Sequence, residues 1–149
     1  MESWEHVPVF GERKPGVIYT LRPGAYAFLS RANDEIALVS TPQGIFLPGG
    51  GVDAGETQLA ALQRELMEEC GFVVSAGTWS TRAVQFVYSI VGRAHFEKRC
   101  TFMDAEIVRA GATPSESDHE LIWVSHARAR EILAHESQRW AVDEWLRRG

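Results

Sequence analysis

Cysteine is scarce. Cys70 and Cys100 are the only two in 149 residues, which excludes a disulfide framework and a four-cysteine zinc module. Also missing is any apolar run approaching the roughly 20 residues needed to span a bilayer. The opening Met1-Glu2-Ser3-Trp4-Glu5-His6 carries acids where an export signal would carry basic residues. No membrane association is therefore expected, and a reducing cytoplasm is the expected setting. Excess positive charge is lacking too: 15 basic residues stand against 20 acidic ones, a net of -5, and the basic ones are scattered. Polymeric nucleic acid is thereby disfavoured as a partner. No internal repeat, low-complexity tract or Pro/Ser-rich linker divides the chain. With 45% hydrophobic residues to fill one core, a single domain over 1–149 is expected, residues 1–15 being a loose lead-in.

What is present reads as strands around a helix. Val17 to Leu21 and Ala25 to Leu29 are strand-like, separated by the breaker Arg22-Pro23-Gly24. Ile36 to Val39 forms another strand, joined to its predecessor by a hairpin turn at Asn33-Asp34. Ile45-Phe46-Leu47-Pro48 runs into Gly49-Gly50-Gly51, which reads as a loop with unusual backbone angles. A helix follows, N-capped by Thr57, apolar along Leu59, Leu62, Leu66 and Cys70, and stopped by Gly71. Segments near Val73, Val84 to Val91, His95 to Val108 and Leu121 to Val124 read as further strands. Ser125 and Ser137 are candidate caps for two closing helices, Ala127 to Leu133 and Arg139 to Leu146, with Trp140 and Trp145 available to bury. This order suggests an α/β fold with a mixed sheet covered on both faces.

On the central helix, Glu65, Glu68 and Glu69 stand at i, i+3 and i+4, so their carboxylates project within an arc of roughly 100°. Like charges at these spacings repel by about 0.2–0.5 kcal/mol per pair, and the dipole of the C-terminal turns disfavours each acid by about 0.3–1 kcal/mol more. Arg64 offsets only part of this. A hard divalent cation reverses the balance, because Mg2+ or Mn2+ prefers oxygen ligands. A solvated acidic face is the ordinary reading of such a cluster, but the surrounding stretch changes it.

That stretch reads Gly50, five residues, Glu56, seven residues, then Arg64-Glu65-Leu66-Met67-Glu68-Glu69-Cys70-Gly71-Phe72. It resembles the Nudix box with every fixed position filled, and Phe46-Leu47-Pro48-Gly49 resembles the usual approach to it. The rest of the chain is similar to the family only in element order. The resemblance implies a Nudix-type α/β/α sandwich around a mixed β-sheet, and a hydrolase that cuts a pyrophosphate bond in a small-molecule nucleotide with Mg2+ or Mn2+. It implies Glu65, Glu68 and Glu69 as metal ligands, with backbone of Gly49 or Gly50 beside the metal, and Arg64 and Glu56 as residues that orient the acids. For the general base it leaves two options: Glu65, or a loop acid among Glu116, Asp118 and Glu120, of which Glu116 is favoured. His95, His119, His126 and His135 have no paired ligand spacing and are expected as surface or capping residues. Lys98, Arg99, Arg93, Arg82 and Arg22 are candidate phosphate contacts, but scattered charges on strands are ordinarily solvated faces, and none is assigned a role.

Substrate choice rests outside the box. The upstream signature of coenzyme A hydrolases is not displayed between Leu29 and Leu47, and two cysteines cannot supply the zinc module of the NADH group. No proline lies between Phe72 and Pro114, which disfavours the ADP-ribose class. Tyr88, 16 residues past Phe72, resembles a feature of dinucleoside polyphosphate hydrolases, although a tyrosine on an apolar strand is more often packing. Nucleoside triphosphates are the expected substrates, dinucleoside polyphosphates the alternative. A non-enzymatic nucleotide sensor is the competing class, disfavoured by the intact set of box acids. Monomer and homodimer both stay open.

Overall fold

The computed structural model describes residues 3–148. Along it run β1 (Val9–Phe10), β2 (Tyr19–Phe28), β3 (Ser30–Arg31), β4 (Glu35–Thr41), β5 (Gly44–Phe46), β6 (Gly49–Gly51), α1 (Gln58–Cys70), β7 (Val73–Ser89), β8 (Ala94–Arg109), β9 (Glu120–Ser125), α2 (His126–Ile132) and α3 (Glu136–Arg147). Five strands form a mixed sheet in the order β1-β7-β8-β2-β6, parallel at β1/β7 and β2/β8 and antiparallel elsewhere. A second, antiparallel sheet contains β3, β4, β5 and β9. The chain crosses between them at Leu29, whose carbonyl accepts from the Ala37 N–H at 2.9 Å.

Strand alternation divides the interior into two cores. Ala25, Ala27 and Leu29, with Ala37 and Val39, face α1 and meet its Ala61, Leu62, Leu66 and Cys70. Tyr26 and Phe28, with Ile36 and Leu38, face the other way, towards Ala129, Ala141, Val142 and Trp145 of α2 and α3. Helices thus cover both faces of the strand layer, giving the expected α/β/α sandwich. The alanines beneath α1 let that helix lie close to the strands. The larger side chains opposite fill a thicker core in which Phe28 stacks on Trp145 at 5.2 Å and 9°, and burial of each such ring is worth about 1.5–3 kcal/mol.

Several expected boundaries move. Arg22-Pro23-Gly24 does not break the strand: β2 pairs with β8 continuously from Tyr19 to Phe28. The Pro23 carbonyl accepts from the Val52 N–H at 2.9 Å, so the ring nitrogen faces the β6 side and the β8 ladder loses no donor. The three glycines are not a loop but strand β6, paired with Gly24, Ala25 and Tyr26. Segments 73–89 and 94–109 form one long hairpin whose register shifts between Ala76 and Ser80. The lead-in is docked, with Val9–Phe10 paired to β7, Phe10 against Trp140, and Trp4 under the guanidinium groups of Arg82 and Arg99. Ser137 does not cap α3, which starts after His135; its N–H instead donates to Gln85 Oε1 at 3.0 Å. The Asn33-Asp34 turn is as expected, both residues having positive φ of 69° and 56°.

Both ends of α1 close by local chemistry. Thr57 accepts from the Ala60 N–H at 3.1 Å, and Gly71, at φ 69°, donates to the carbonyls of Leu66 and Met67, the left-handed exit that glycine permits. Thr57→Ala is expected to cost about 1 kcal/mol of stability, read as a lowered urea midpoint with an unchanged slope. Among the described residues no helix is long and apolar enough to cross a membrane.

Candidate active site

Arg64 organises the site. Its Nε and Nη2 donate to the two carboxylate oxygens of Glu56, each at 2.9 Å, while Nη1 donates to Glu65 at 3.0 Å and Nη2 also to the Gly51 carbonyl at 3.0 Å. Glu68 and Asp53 lie 3.5 Å away. Such a fork fixes geometry as well as charge. The Arg64 hydrogen bonds pull the Glu56 carboxyl down to about 2, and in return Glu56 raises the Arg64 pKa further. Arg64 therefore stays charged, holding the segment before α1 against the helix.

Two of the box acids resist ionisation. Glu65 is pushed above the usual carboxylate range by burial, against the pull of Arg64, and the charges of Glu68 and Glu116 push it the same way. Glu69 is 5% exposed, and burial raises it to about 7 despite the Gly49 N–H that donates to its Oε1 at 2.8 Å. Oε2 of Glu69 meets Nδ1 of His119 at 3.0 Å. Glu68 remains the most open of the three, at 35% side-chain exposure.

β6 fits against this cluster because it has no side chains. A Cβ on Gly50 would lie 2.6 Å from the Glu65 carboxyl carbon, and one on Gly49, whose φ is 140°, would lie 2.1 Å from the Ala25 carbonyl oxygen. Behind it, the N–H of Leu47 donates at 2.8 Å to buried Gln138 of α3, fixing the approach to the glycines.

The loop before β9 reaches the same place by backbone contact. The N–H groups of Ser115 and Glu116 both donate to the Glu68 carbonyl, at 2.9 and 3.1 Å, satisfying an acceptor that the helix end leaves free. Ligand atoms of Glu116, Asp118 and His119 lie within 4.8 Å of one another. Glu120 opens β9 opposite Ser40 and is exposed.

A cavity of about 590 Å³ runs from Glu69, His119, Gly49 and Gly50 past Tyr26 to Phe46, Tyr88 and Lys98. Of the expected site residues, Gly50 and Glu69 line this cavity, and Glu56, Arg64, Glu65, Glu68 and Glu116 are joined to them through the contacts above. The histidines divide: His135 stands at the N-cap position of α3, without a side-chain cap bond, while His119 departs from the surface-or-cap reading. His119 belongs to the acidic cluster, and His135 lines the cavity, where burial lowers it to about 4. His126 packs edge-on against Trp145, and His95 lies between Tyr19 and Tyr88. Lys98 departs from its solvated-face reading, being half-buried and lining the cavity, whereas Arg22 is exposed on β2 as expected, beside a smaller cavity that it shares with Lys98. His119 was signalled only by following Glu116 by three residues on one loop, whereas nothing local set Lys98 apart from the other strand cations.

The NUDIX domain model matches residues 20–146. No curated protein sequence matches the chain. Among solved structures, the NUDIX hydrolase from Nitrosomonas europaea superposes with a TM-score of 0.67 at 14% identity, covering 85% of this chain and 89% of that one. The ORF135 protein of E. coli gives 0.62 at 22% identity over 86% and 90%, and the MutT protein from Methanosarcina mazei Go1 gives 0.61 at 21% over 87% and 95%. These likenesses establish the fold, and the family match over most of the chain, with the box residues gathered as described, places this protein in the Nudix hydrolase family.

Proposed function

We propose that the protein is a divalent-metal-dependent pyrophosphohydrolase acting on nucleoside triphosphates. The observation that carries this reading is the meeting of Glu65, Glu68, Glu69 and Glu116 with side-chain-free β6 beside a cavity that also offers the rings of Phe46 and Tyr88, an aliphatic wall and the cation Lys98. The donor set fits a hard cation. It is all oxygen, Glu65 and Glu69 are each held above their usual pKa by burial, and the space beside Glu65 exists only because Gly50 has no Cβ. Glu65, Glu68 and Glu69 would hold Mg2+ or Mn2+, with the backbone of Gly49 or Gly50 beside it. When bound, the ion would neutralise phosphate charge and acidify water next to it.

The chain's own groups supply the rest. Arg64, tied to Glu56, orients Glu65, and the Gly49 N–H and His119 orient Glu69. Glu65 and Glu116, close enough for their charges to interact, are the candidates to take the proton of the attacking water. Burial brings Glu65 nearer to the working pH of a base. Phe46 and Tyr88 offer ring faces to a nucleobase. Tyr88, 53% exposed and lining the cavity, also keeps the dinucleoside polyphosphate reading open, since a second base needs a second platform.

A panel of nucleoside triphosphates, dinucleoside polyphosphates and nucleoside diphosphate sugars, incubated with Mg2+ or Mn2+ in 18O-labelled water, tests the reading. A nucleoside triphosphate is expected to be cut to a monophosphate and pyrophosphate, with the label on one product. Tight binding without turnover at any metal concentration would mark a sensor instead.

A further inference from the structure

Arg22 on β2 and Lys98 on β8 are direct partners in the parallel ladder, and the partner of Lys98 on its other side, on β7, is Gln85. No acid stands in this row. Like charges placed opposite each other on adjacent strands are destabilising, and among the described residues no ion pair relieves either cation. Arg22 rests on the face of Phe96 at 5.2 Å. Lys98 is half-buried, and burial and the Arg22 charge both act to lower its pKa. A strand lysine is ordinarily solvated, so this placement needs a reason.

Position supplies one. Lys98 and Arg22 line a side cavity of about 250 Å³ with Phe96 and Val91, and Lys98 also lines the larger cavity that ends at Glu69. The cations are near the box: Arg22 Nε would lie 3.7 Å from a Cβ on Gly51, and the charges of Glu69, Glu65 and Arg22 all act on Tyr26. Glu69, Tyr26 and Lys98 therefore line one cavity, and Arg22 joins Lys98 in the one beside it. A phosphate chain entering at the acids is led to the cations.

We propose that Lys98 and Arg22 form a subsite for a second anionic group of the substrate, the distal phosphate of a nucleoside triphosphate, selecting it over a nucleoside diphosphate joined to a neutral group. This rests on the pyrophosphohydrolase reading above. An anion between the two side chains turns a repulsive pair into two charge-assisted contacts. The neutral end of a nucleotide sugar makes neither.

The test compares Lys98→Met and Lys98→Arg with wild type, all as the full chain with Mg2+. Two quantities are read: kcat/KM for a nucleoside triphosphate and for a nucleoside diphosphate sugar, and calorimetric affinity for a triphosphate analogue with a non-cleavable bridge. In Lys98→Met the kcat/KM for the triphosphate is expected to fall at least tenfold further than that for the sugar nucleotide, mainly through KM, and Lys98→Arg is expected to recover most of it. Equal losses on both substrates, or an unchanged analogue affinity, overturn the subsite while leaving the hydrolase intact. If wild type cleaves nothing yet binds the analogue in a Lys98-dependent way, the subsite stands and the hydrolase reading fails. Thermal unfolding of both variants shows whether a uniform loss comes from misfolding; in that case retention of the selectivity ratio by Lys98→Gln overturns the proposal and its loss supports it.

Discussion

Replacing Glu69 with glutamine is expected to leave a protein that is more stable in metal-free buffer at pH 8 and nearly inactive. The carboxyl is 5% exposed and is raised by burial from 4.5 to about 7. In the folded chain it therefore binds a proton that the unfolded chain has already lost between those two pH values. Stability linked to this group is full below pH 4.5 and falls as pH rises through 7. Glutamine has no charge to desolvate, and its Oε1 can still accept from the Gly49 N–H. The variant should match wild type at pH 4.5 and exceed it above pH 7 by on the order of 2 kcal/mol. His135 works in the opposite sense, its folded value lying near 4, but it is present in both proteins and cancels when they are compared at one pH. Urea midpoints across pH 4.5–8 measure the difference. Activity should move the other way. Glutamine is a weaker ligand for the cation that would neutralise the reacting phosphates, and losing such electrostatic stabilisation typically lowers kcat by roughly 10²- to 10³-fold; a Glu69→Gln enzyme within threefold of wild type would remove Glu69 from the proposed machinery. A destabilising charge kept in place is the expected signature of a residue retained for function.

The sequence was most legible where chemistry is local. Thr57, Gly71 and the apolar stripe define α1 within one residue at each end, because caps and periodicity act over a few positions. The shared face of Glu65, Glu68 and Glu69, and the proximity of Arg64 to them, follow from helix geometry alone. What the sequence hid depends on partners far along the chain. Pro23 reads as a breaker until β8 and β6 flank it, and three glycines read as a loop until β2 pairs with them. His119 meets Glu69 across 50 positions of sequence, and Lys98 faces Arg22 only through the register of a parallel pair. Ser137 is a reasonable cap by residue type, yet α3 begins after His135, which leaves Ser137 inside the first turn with its N–H held by Gln85 on β7. Local propensity gave way wherever tertiary pairing satisfied the same groups better.

The two neighbouring glycines of β6 should respond to alanine in opposite ways, which separates what holds the fold from what holds the site. At Gly49 a Cβ would meet the Ala25 carbonyl oxygen at 2.1 Å and the Tyr26 Cα at 2.7 Å. Both are backbone atoms of the paired strand, and φ is 140°. Nothing there can move without breaking the β2/β6 ladder, so Gly49→Ala is expected to cost several kcal/mol or to yield no folded protein. At Gly50 the atoms met are the far end of the Glu65 side chain, at 2.6–2.8 Å, and φ is not in the left-handed region. Glu65 can swing aside, leaving Arg64 Nη1, to which it is bonded at 3.0 Å. Gly50→Ala should therefore melt within ~3 °C of wild type, about 1 kcal/mol for a chain of this length, while kcat falls roughly 10²-fold from the displaced carboxylate. A Glu65→Ala background supplies the control, since the added Cβ then finds no carboxylate to displace. The second substitution should cost almost nothing further in kcat, a non-additivity that marks the two positions as one unit. Full additivity would mean that Gly50 acts through the backbone and not through Glu65.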